Sequence, residues 1–270
     1  MQASAQRVSL DGNAKQQQSG TILFEHVSKV YQTQAGRVTA LQGVHFSIES
    51  QQFISLVGPS GCGKSTLLKL LAGLIEPSSG SIWVDHQRVT GPRRSIGMMF
   101  QTPVLFPWRT VTENVLLPIE VFRLDRRDYL ARAQELIELA GLGGFEKAYP
   151  RELSGGMQQR VALCRLLIFE PDILLMDEPF GALDEFVRER LNIELLHFWD
   201  RHRKTVVFVT HNINEAVFLS DRVVVMGTRP GRVLDIVDID LPRPRETSIM
   251  HDPSFVDKVF EIRSKFENQS

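Results

Sequence analysis

Short, nearly unbroken apolar runs alternate with apolar stripes at helical spacing along most of the chain. Phe53 to Val57, Ile173 to Met176, Val206 to Thr210 and Val223 to Met226 are runs of four or five residues. Their length suits buried strands rather than buried helices. Between them lie patterns of the other kind. Leu67, Leu68, Leu70, Leu71 and Leu74 predict a helix directly after the first run, and helical patterns cover Val111 to Leu139 and Gly156 to Phe169. A further helix is expected from Asp184 to His202 and a short one from Ile213. Strands alternating with helices imply parallel pairing through crossovers, hence a doubly wound α/β core, with the long helical stretch at about residues 102–165 inserted as a subdomain. Ahead of this core, an Ile22 to Phe24 run, a turn at Gln34-Ala35-Gly36 and the stretch Val38 to Ile48 read as strands and turns. Beyond Leu241-Pro242-Arg243-Pro244-Arg245 the composition shifts, and Phe255, Val259, Ile262 and Phe266 form one stripe of a tail helix. The expected organisation is a disordered tail over 1–20, a main domain over 21–246 and a helical tail over 247–270.

Composition removes several possibilities. Of 270 residues, 43% are hydrophobic and 23% charged, an ordinary globular balance. Lys and Arg total 31 against 32 for Asp and Glu, so no basic field is available to grip a nucleic-acid backbone, and no nucleic-acid partner is expected. The two cysteines, Cys62 and Cys164, suggest neither a disulfide framework nor a paired metal site, which fits a reducing cytosol. Met1 to Gly20 is polar and lacks the apolar segment of a secretory signal. No apolar run reaches the roughly 18 residues that span a bilayer; Val161 to Phe169 is interrupted by Arg165. Membrane association is therefore expected to run through a partner.

Three motifs carry chemistry. Gly58-Pro59-Ser60-Gly61-Cys62-Gly63-Lys64-Ser65-Thr66 fits G-x-x-x-x-G-K-[ST] between a predicted strand and helix. In that context backbone N–H groups and the helix N-terminus form a cradle for phosphate oxygens, with Lys64 reaching the β- and γ-phosphates, Ser65 ligating magnesium and Thr66 supporting the α-phosphate side. Kinases, GTPases and many ATPases share this loop, so alone it says only nucleotide. Next, Ile173-Leu174-Leu175-Met176-Asp177-Glu178-Pro179 delivers two adjacent carboxylates at a strand's carboxyl end. Neighbours on a strand point oppositely, so Asp177 is expected to face the magnesium shell while Glu178 accepts a proton from the water attacking the γ-phosphate. Third, Leu153-Ser154-Gly155-Gly156-Met157-Gln158-Gln159-Arg160 opens a helix with a serine and two glycines, another anion site in backbone terms, with Ser154 also a plain helix cap.

The third motif, about a hundred residues after the phosphate loop and just before the carboxylate strand, resembles the signature of the ABC ATPase family. The resemblance spans about Ile22 to Leu241 and implies a P-loop NTPase (ABC-type) core with a mixed sheet, an antiparallel β subdomain and an inserted helical subdomain. It further implies that Tyr31 stacks on adenine, that Gln101 touches magnesium and the attacking water, that the Ala182-Leu183-Asp184 loop crosses a dimer interface, and that His211 contacts the γ-phosphate and orients Glu178. Ser154, Gly155, Gly156 and Gln158 would cover the ATP held by a second copy, giving a nucleotide-sandwich dimer with ATP and Mg2+. Integral-membrane permease subunits and a separate solute-binding protein follow as partners, on the cytoplasmic side of a bacterial inner membrane, with Gln101 to Arg109 lining a groove for the permease. Leu105 to Val115 and Gly227 to Val233 resemble the corresponding stretches of nitrate, sulfonate and taurine importers. Riboflavin, pyrimidine or phthalate-like cargo are alternatives. A non-transport ABC ATPase would call for a long coiled-coil insertion or a tandem cassette, and a soluble P-loop kinase or GTPase leaves Ser154 to Arg160 and His211 unexplained.

Overall fold

The computed structural model describes residues 20–34, 36–181, 183–228 and 230–267. Apart from Gly20, the expected disordered tail lies outside them. The main sheet has six strands: β3 (Phe53–Val57), β6 (Ile96–Met99), β7 (Ile173–Asp177), β8 (Thr205–Thr210), β9 (Arg222–Gly227) and β10 (Arg232–Asp238). Their order is β10-β9-β3-β8-β7-β6, parallel throughout except for the antiparallel edge pair β10 and β9. A second, antiparallel sheet of order β2-β1-β4-β5 is built from β1 (Ile22–Thr33), β2 (Gly36–Ile48), β4 (Ser79–Val84) and β5 (Gln87–Arg88).

The central strands are buried on both faces, which is why they read as continuous apolar runs. Along β7, Leu174 and Met176 face one core while Ile173 and Leu175 face the other; β8 divides Val206 and Phe208 from Val207 and Val209 in the same way. One core lies under α1 (Lys64–Leu71) and the antiparallel sheet. The other is roofed by α2 (Val111–Val115), α3 (Leu117–Val121), α4 (Arg126–Leu139), α5 (Gly155–Leu167), α6 (Glu185–His202), α7 (Ile213–Leu219) and α8 (Pro253–Glu267). The single helical stretch expected over Val111 to Leu139 is thus three helices. Pro118 opens α3, Arg123 turns back with φ 55°, and the Asp125 carboxylate accepts from Arg127 N–H at 2.9 Å to start α4 afresh. Of the expected stripe, Phe255, Val259 and Ile262 are buried and Phe266 is half-buried against the same core, seating α8 on the body. Among the described residues no helix is long and apolar enough to cross a membrane.

The segment leading into α8 is held by a buried cation. Arg245 is 3% exposed, and its guanidinium donates to the carbonyls of Val217, Phe218 and Ser220 at the end of α7 and to those of Ile239 and Leu241. Burial, with Arg243 nearby, pulls its pKa down to about 10. Arg245→Met keeps the aliphatic stem but strands five carbonyls, each an unmade hydrogen bond. The expected loss is about 3 kcal/mol or more, read by chemical denaturation.

Candidate functional site

The Lys64 loop, the Asp177-Glu178 pair and His211 emerge at the carboxyl ends of β3, β7 and β8, where open α/β sheets bind ligands. From β3 the chain runs through Gly58 to Gly63 into α1. Gly61 and Gly63 have φ of 79° and 95°, the left-handed region that glycine adopts without strain. Space also dictates glycine at two points. A Cβ on Gly58 would lie 2.5 Å from the Met226 carbonyl oxygen of β9, and one on Gly63 would lie 2.6 Å from Leu41 Cδ2 and 2.9 Å from the Ala40 carbonyl oxygen. Pro59, Ser60 and Gly61 are exposed at the crest of the loop while Cys62 is buried beneath it, its thiol pushed up by that burial. Lys64 is 5% exposed and curls back, Nζ donating to the Gly58 and Pro59 carbonyls at 2.7 and 3.2 Å. Ser65 and Thr66 follow in the first turn of α1.

Ser65 Oγ donates to Asp177 Oδ1 at 2.8 Å. Asp177 is 7% exposed; burial raises its carboxyl above the usual range, the Ser65 bond opposes this, and the adjoining Glu178 charge adds to it. Glu178 has φ 45°, a left-handed conformation strained for a side chain this long. Its N–H is held by the Val209 carbonyl at 3.0 Å, and its Oε2 stands 3.3 Å from His211 Nδ1 at the end of β8. The two carboxylates engage different partners, Ser65 and His211, and since β7 ends at Asp177 the turn at Glu178, rather than strand alternation, aims the second one.

Gln101 follows β6, exposed, with its carbonyl accepting from the buried Gln159 Nε2 at 2.7 Å. Gln159 was not singled out by its type, yet it ties the signature helix to Gln101. Within one chain the signature closes on itself: Ser154 Oγ caps α5 by accepting from Met157 N–H, and Gln158 Nε2 donates to the Pro150 and Leu153 carbonyls. Among the described residues a Cβ on Gly155 would meet nothing within 4 Å, so their packing gives no reason for glycine there. At Gly156 a Cβ would come 3.3 Å from Leu183 Cδ2, the residue before Asp184. Asp184 is exposed and caps α6, accepting from Val187 N–H at 3.0 Å; Ala182 lies outside the described residues. Tyr31 sits half-exposed on β1, 5.3 Å from Lys29 Nζ, and is tied to the loop only through the neighbouring β2, whose Leu41 abuts Gly63.

Gly231 has a part that sequence reading missed. Its N–H donates to the Ala40 carbonyl at 3.1 Å, its carbonyl accepts from Gln42 N–H at 2.9 Å, and a Cβ there would lie 2.1 Å from the Cys62 carbonyl oxygen. The turn before β10 therefore presses on the back of the phosphate-type loop. Gly231→Ala must displace that backbone, an overpacking cost of about 1–3 kcal/mol. The expected result is weaker nucleotide binding by isothermal titration, with α-helical content unchanged by circular dichroism.

Residues 41–181 match the family model described as ABC transporter. An uncharacterized ABC transporter ATP-binding protein of Methanocaldococcus jannaschii is 45% identical over 238 residues, covering 88% of this chain and 89% of that protein. The aliphatic sulfonates import ATP-binding protein SsuB of Bacillus cereus is 44% identical over 225 residues, 83% of this chain and 88% of its own. The nitrate import ATP-binding protein NrtD of Synechocystis is 44% identical over 244 residues, 88% and 92% respectively. Among solved structures, the dimeric structure of a bacterial ABC transporter cassette superposes with a TM-score of 0.74 at 34% identity, covering 82% of this chain and all of the other. The same cassette in a post-hydrolysis state bound to ADP and Pi superposes with the same TM-score at 33% identity.

Proposed function

The chain belongs to the ABC transporter family, and from that premise we propose that it is an ATP-hydrolysing subunit that drives import of an organosulfonate or nitrate through membrane permease subunits. The observation that carries the ATPase reading is the convergence, on three neighbouring strand ends, of the Lys64 loop, the Ser65–Asp177 hydrogen bond and the Glu178–His211 contact. Lys64 and the loop amides bind the β- and γ-phosphates, and their fixed positions stabilise charge that moves during phosphoryl transfer. Glu178 Oε2 accepts the proton of the attacking water, and His211 holds that carboxylate in line. Tyr31 supplies the stacking face for adenine, and Gln101 meets the water from the β6 side.

Ser65, Asp177 and Gln101 offer only oxygen donors, which suits a hard cation such as Mg2+, and the excess negative charge at buried Asp177 beside Glu178 supports one. Among the described residues no cluster of His, Cys, Asp and Glu could hold a metal by itself, so phosphate oxygens would complete its shell. Bound there, Mg2+ would neutralise charge on the β- and γ-phosphates.

The exposed Ser154 and Gly155, with half-buried Gln158 and exposed Asp184 beside them, face a second copy and cover the ATP held in its loop. The unexplained glycine at 155 and the dimeric cassette found by structural comparison support this arrangement. Residues 21–246 form the ATPase domain, about 102–165 its helical subdomain, and 247–270 the helical tail. Trp108 is 69% and Val104 54% exposed, while Phe106 and Trp108 stack at 5.1 Å. Buried Asn114 fixes this knuckle, its Oδ1 accepting from Phe106 N–H and its Nδ2 donating to the carbonyls of Phe106, Arg109 and Thr110. An exposed tryptophan backed by a half-buried phenylalanine on a rigid loop suits the permease contact. The subunit then sits peripherally on the cytoplasmic face of a bacterial inner membrane, with a separate solute-binding protein delivering cargo on the other side.

The test is deletion of the gene followed by growth on an aliphatic sulfonate or taurine as sole sulfur source and on nitrate as sole nitrogen source. Loss on one source, restored by the wild type and not by Glu178→Gln, is expected. Normal growth on all of them, with ATPase activity confirmed in vitro, overturns the anion-import reading.

A further inference from the structure

Four residues beyond His211 lies a carboxylate that the reaction as described does not use. Glu215, in the first turn of α7, is 8% exposed. Its Oε2 accepts from the Thr210 hydroxyl, Thr210 Oγ1 accepts from Asn212 N–H at 3.0 Å, and Asn212 Oδ1 accepts from Glu215 N–H at 3.2 Å. These bonds close a ring around the turn that displays His211, fixing the residues on either side of it while leaving its ring free to meet Glu178.

The other carboxylate oxygen reaches a different element. Glu215 Oε1 accepts from Asn192 Nδ2 at 3.1 Å, and Asn192 is a buried residue of α6. One turn earlier on α6, Arg188 donates Nη2 to the Leu183 carbonyl at 2.8 Å, and its charge acts favourably on Glu215. One buried carboxylate therefore joins the His211 turn to the helix that begins at Asp184. Burial raises the Glu215 carboxyl above its usual range, so the charge is costly where it stands and is a poor choice for stability alone.

We propose that Glu215 is a positioning residue for His211, and that through Asn192 it couples the His211 turn to the Leu183-Asp184 end of α6, so that displacement of that loop by a second copy is felt at the site of water activation. The proposal rests on the reading of Glu178 and His211 given above. It needs the shape and hydrogen bonds of the side chain more than its charge. Among the described residues Asn192 Oδ1 has no hydrogen-bond partner, so reversal of that amide presents an acceptor to a glutamine at 215.

The experiment measures ATP turnover and ATP affinity of the purified full chain for Glu215→Leu, Glu215→Gln, His211→Ala, Glu178→Gln and the double variant of Glu215→Leu with His211→Ala. Glu215→Leu should lower kcat about tenfold or more with ATP affinity within about twofold, Glu215→Gln should restore kcat to within about threefold of wild type, and the double variant should be no slower than His211→Ala alone. Unchanged kcat in Glu215→Leu, or multiplying losses in the double variant, overturns the proposal. If Glu215→Leu does not fold, Asn192→Ala and Thr210→Val each cut one arm and must show the same selective loss of kcat; wild-type turnover in both overturns it. Loss of turnover in Glu178→Gln and His211→Ala with none in Glu215→Leu rejects this inference alone, whereas full turnover in those two rejects the underlying site.

Discussion

Glu178→Gln is expected to lower steady-state ATP hydrolysis by about a hundred- to a thousandfold, the range in which a positioned general base contributes. The amide keeps the length and shape of the side chain, so the left-handed turn set by the Val209 carbonyl persists, and an acceptor still stands within reach of His211 Nδ1. What disappears is the capacity to take a proton. Nucleotide binding depends on the loop and Lys64, so affinity should stay within about twofold, and the variant should accumulate as an ATP-bound dimer because closure is no longer followed by hydrolysis. Phosphate release gives the first quantity and light scattering with and without ATP the second. Turnover within about fivefold of wild type would place the base elsewhere.

Lys64→Ala acts at the other end of the same event. Lys64 is 5% exposed and its ammonium is already gathered against the loop by the Gly58 and Pro59 carbonyls, so on the proposed mode ATP meets a cation whose position is fixed before it arrives. Truncating one partner of a buried charge pair costs about 2–5 kcal/mol, and a value near 3 corresponds to about a hundredfold weaker binding. Isothermal titration with MgATP reads it. Lys64→Arg should rescue poorly, because a forked guanidinium cannot occupy the narrow space beneath the loop that a single nitrogen fills. Affinity within a few-fold of wild type in Lys64→Ala would show that the loop amides hold the phosphates without the ammonium.

Which parts of this molecule were legible in its sequence follows from how local their causes are. β3, β7, β8 and β9 announce themselves because both faces of each strand are buried and the apolar pattern is nearly unbroken, with Ser55 interrupting β3. β4, β5, β6 and β10 were not anticipated: β4 and β10 are half-exposed, β6 has four residues and β5 two, so their patterns resemble loops until partners are known. The phosphate-type loop, the carboxylate pair and the histidine are contiguous motifs, and the structure brings the Lys64 loop, Asp177, Glu178 and His211 to adjacent strand ends. The conformation of Glu178 was not legible, since it depends on a carbonyl thirty-one residues later in the chain. The parts played by Gly231, Gln159 and Glu215 were not legible for the same reason. Gly231 and Gln159 lie inside stretches that the sequence marks, but what each does, like the part of Glu215, is set by neighbours in space: Cys62, Gln101 and Asn192.

Among the described residues the two sheets are joined by one isolated parallel bridge, between Leu41 of β2 and Gly231 ahead of β10. That contact has a colloidal consequence. Of the four sheet margins, two belong to β5 and β6, too short to template a foreign strand, while the long ones, β2 and β10, are brought against each other, with α8 along β10 and Lys265 paired to Asp235 at 2.7 Å. On the proposed cycle, in which two copies close on ATP and part after hydrolysis, the chain is thereby denied the one kind of self-association that does not let go. Encounters between copies are left to loops and helix ends, whose grip a small molecule can make or release.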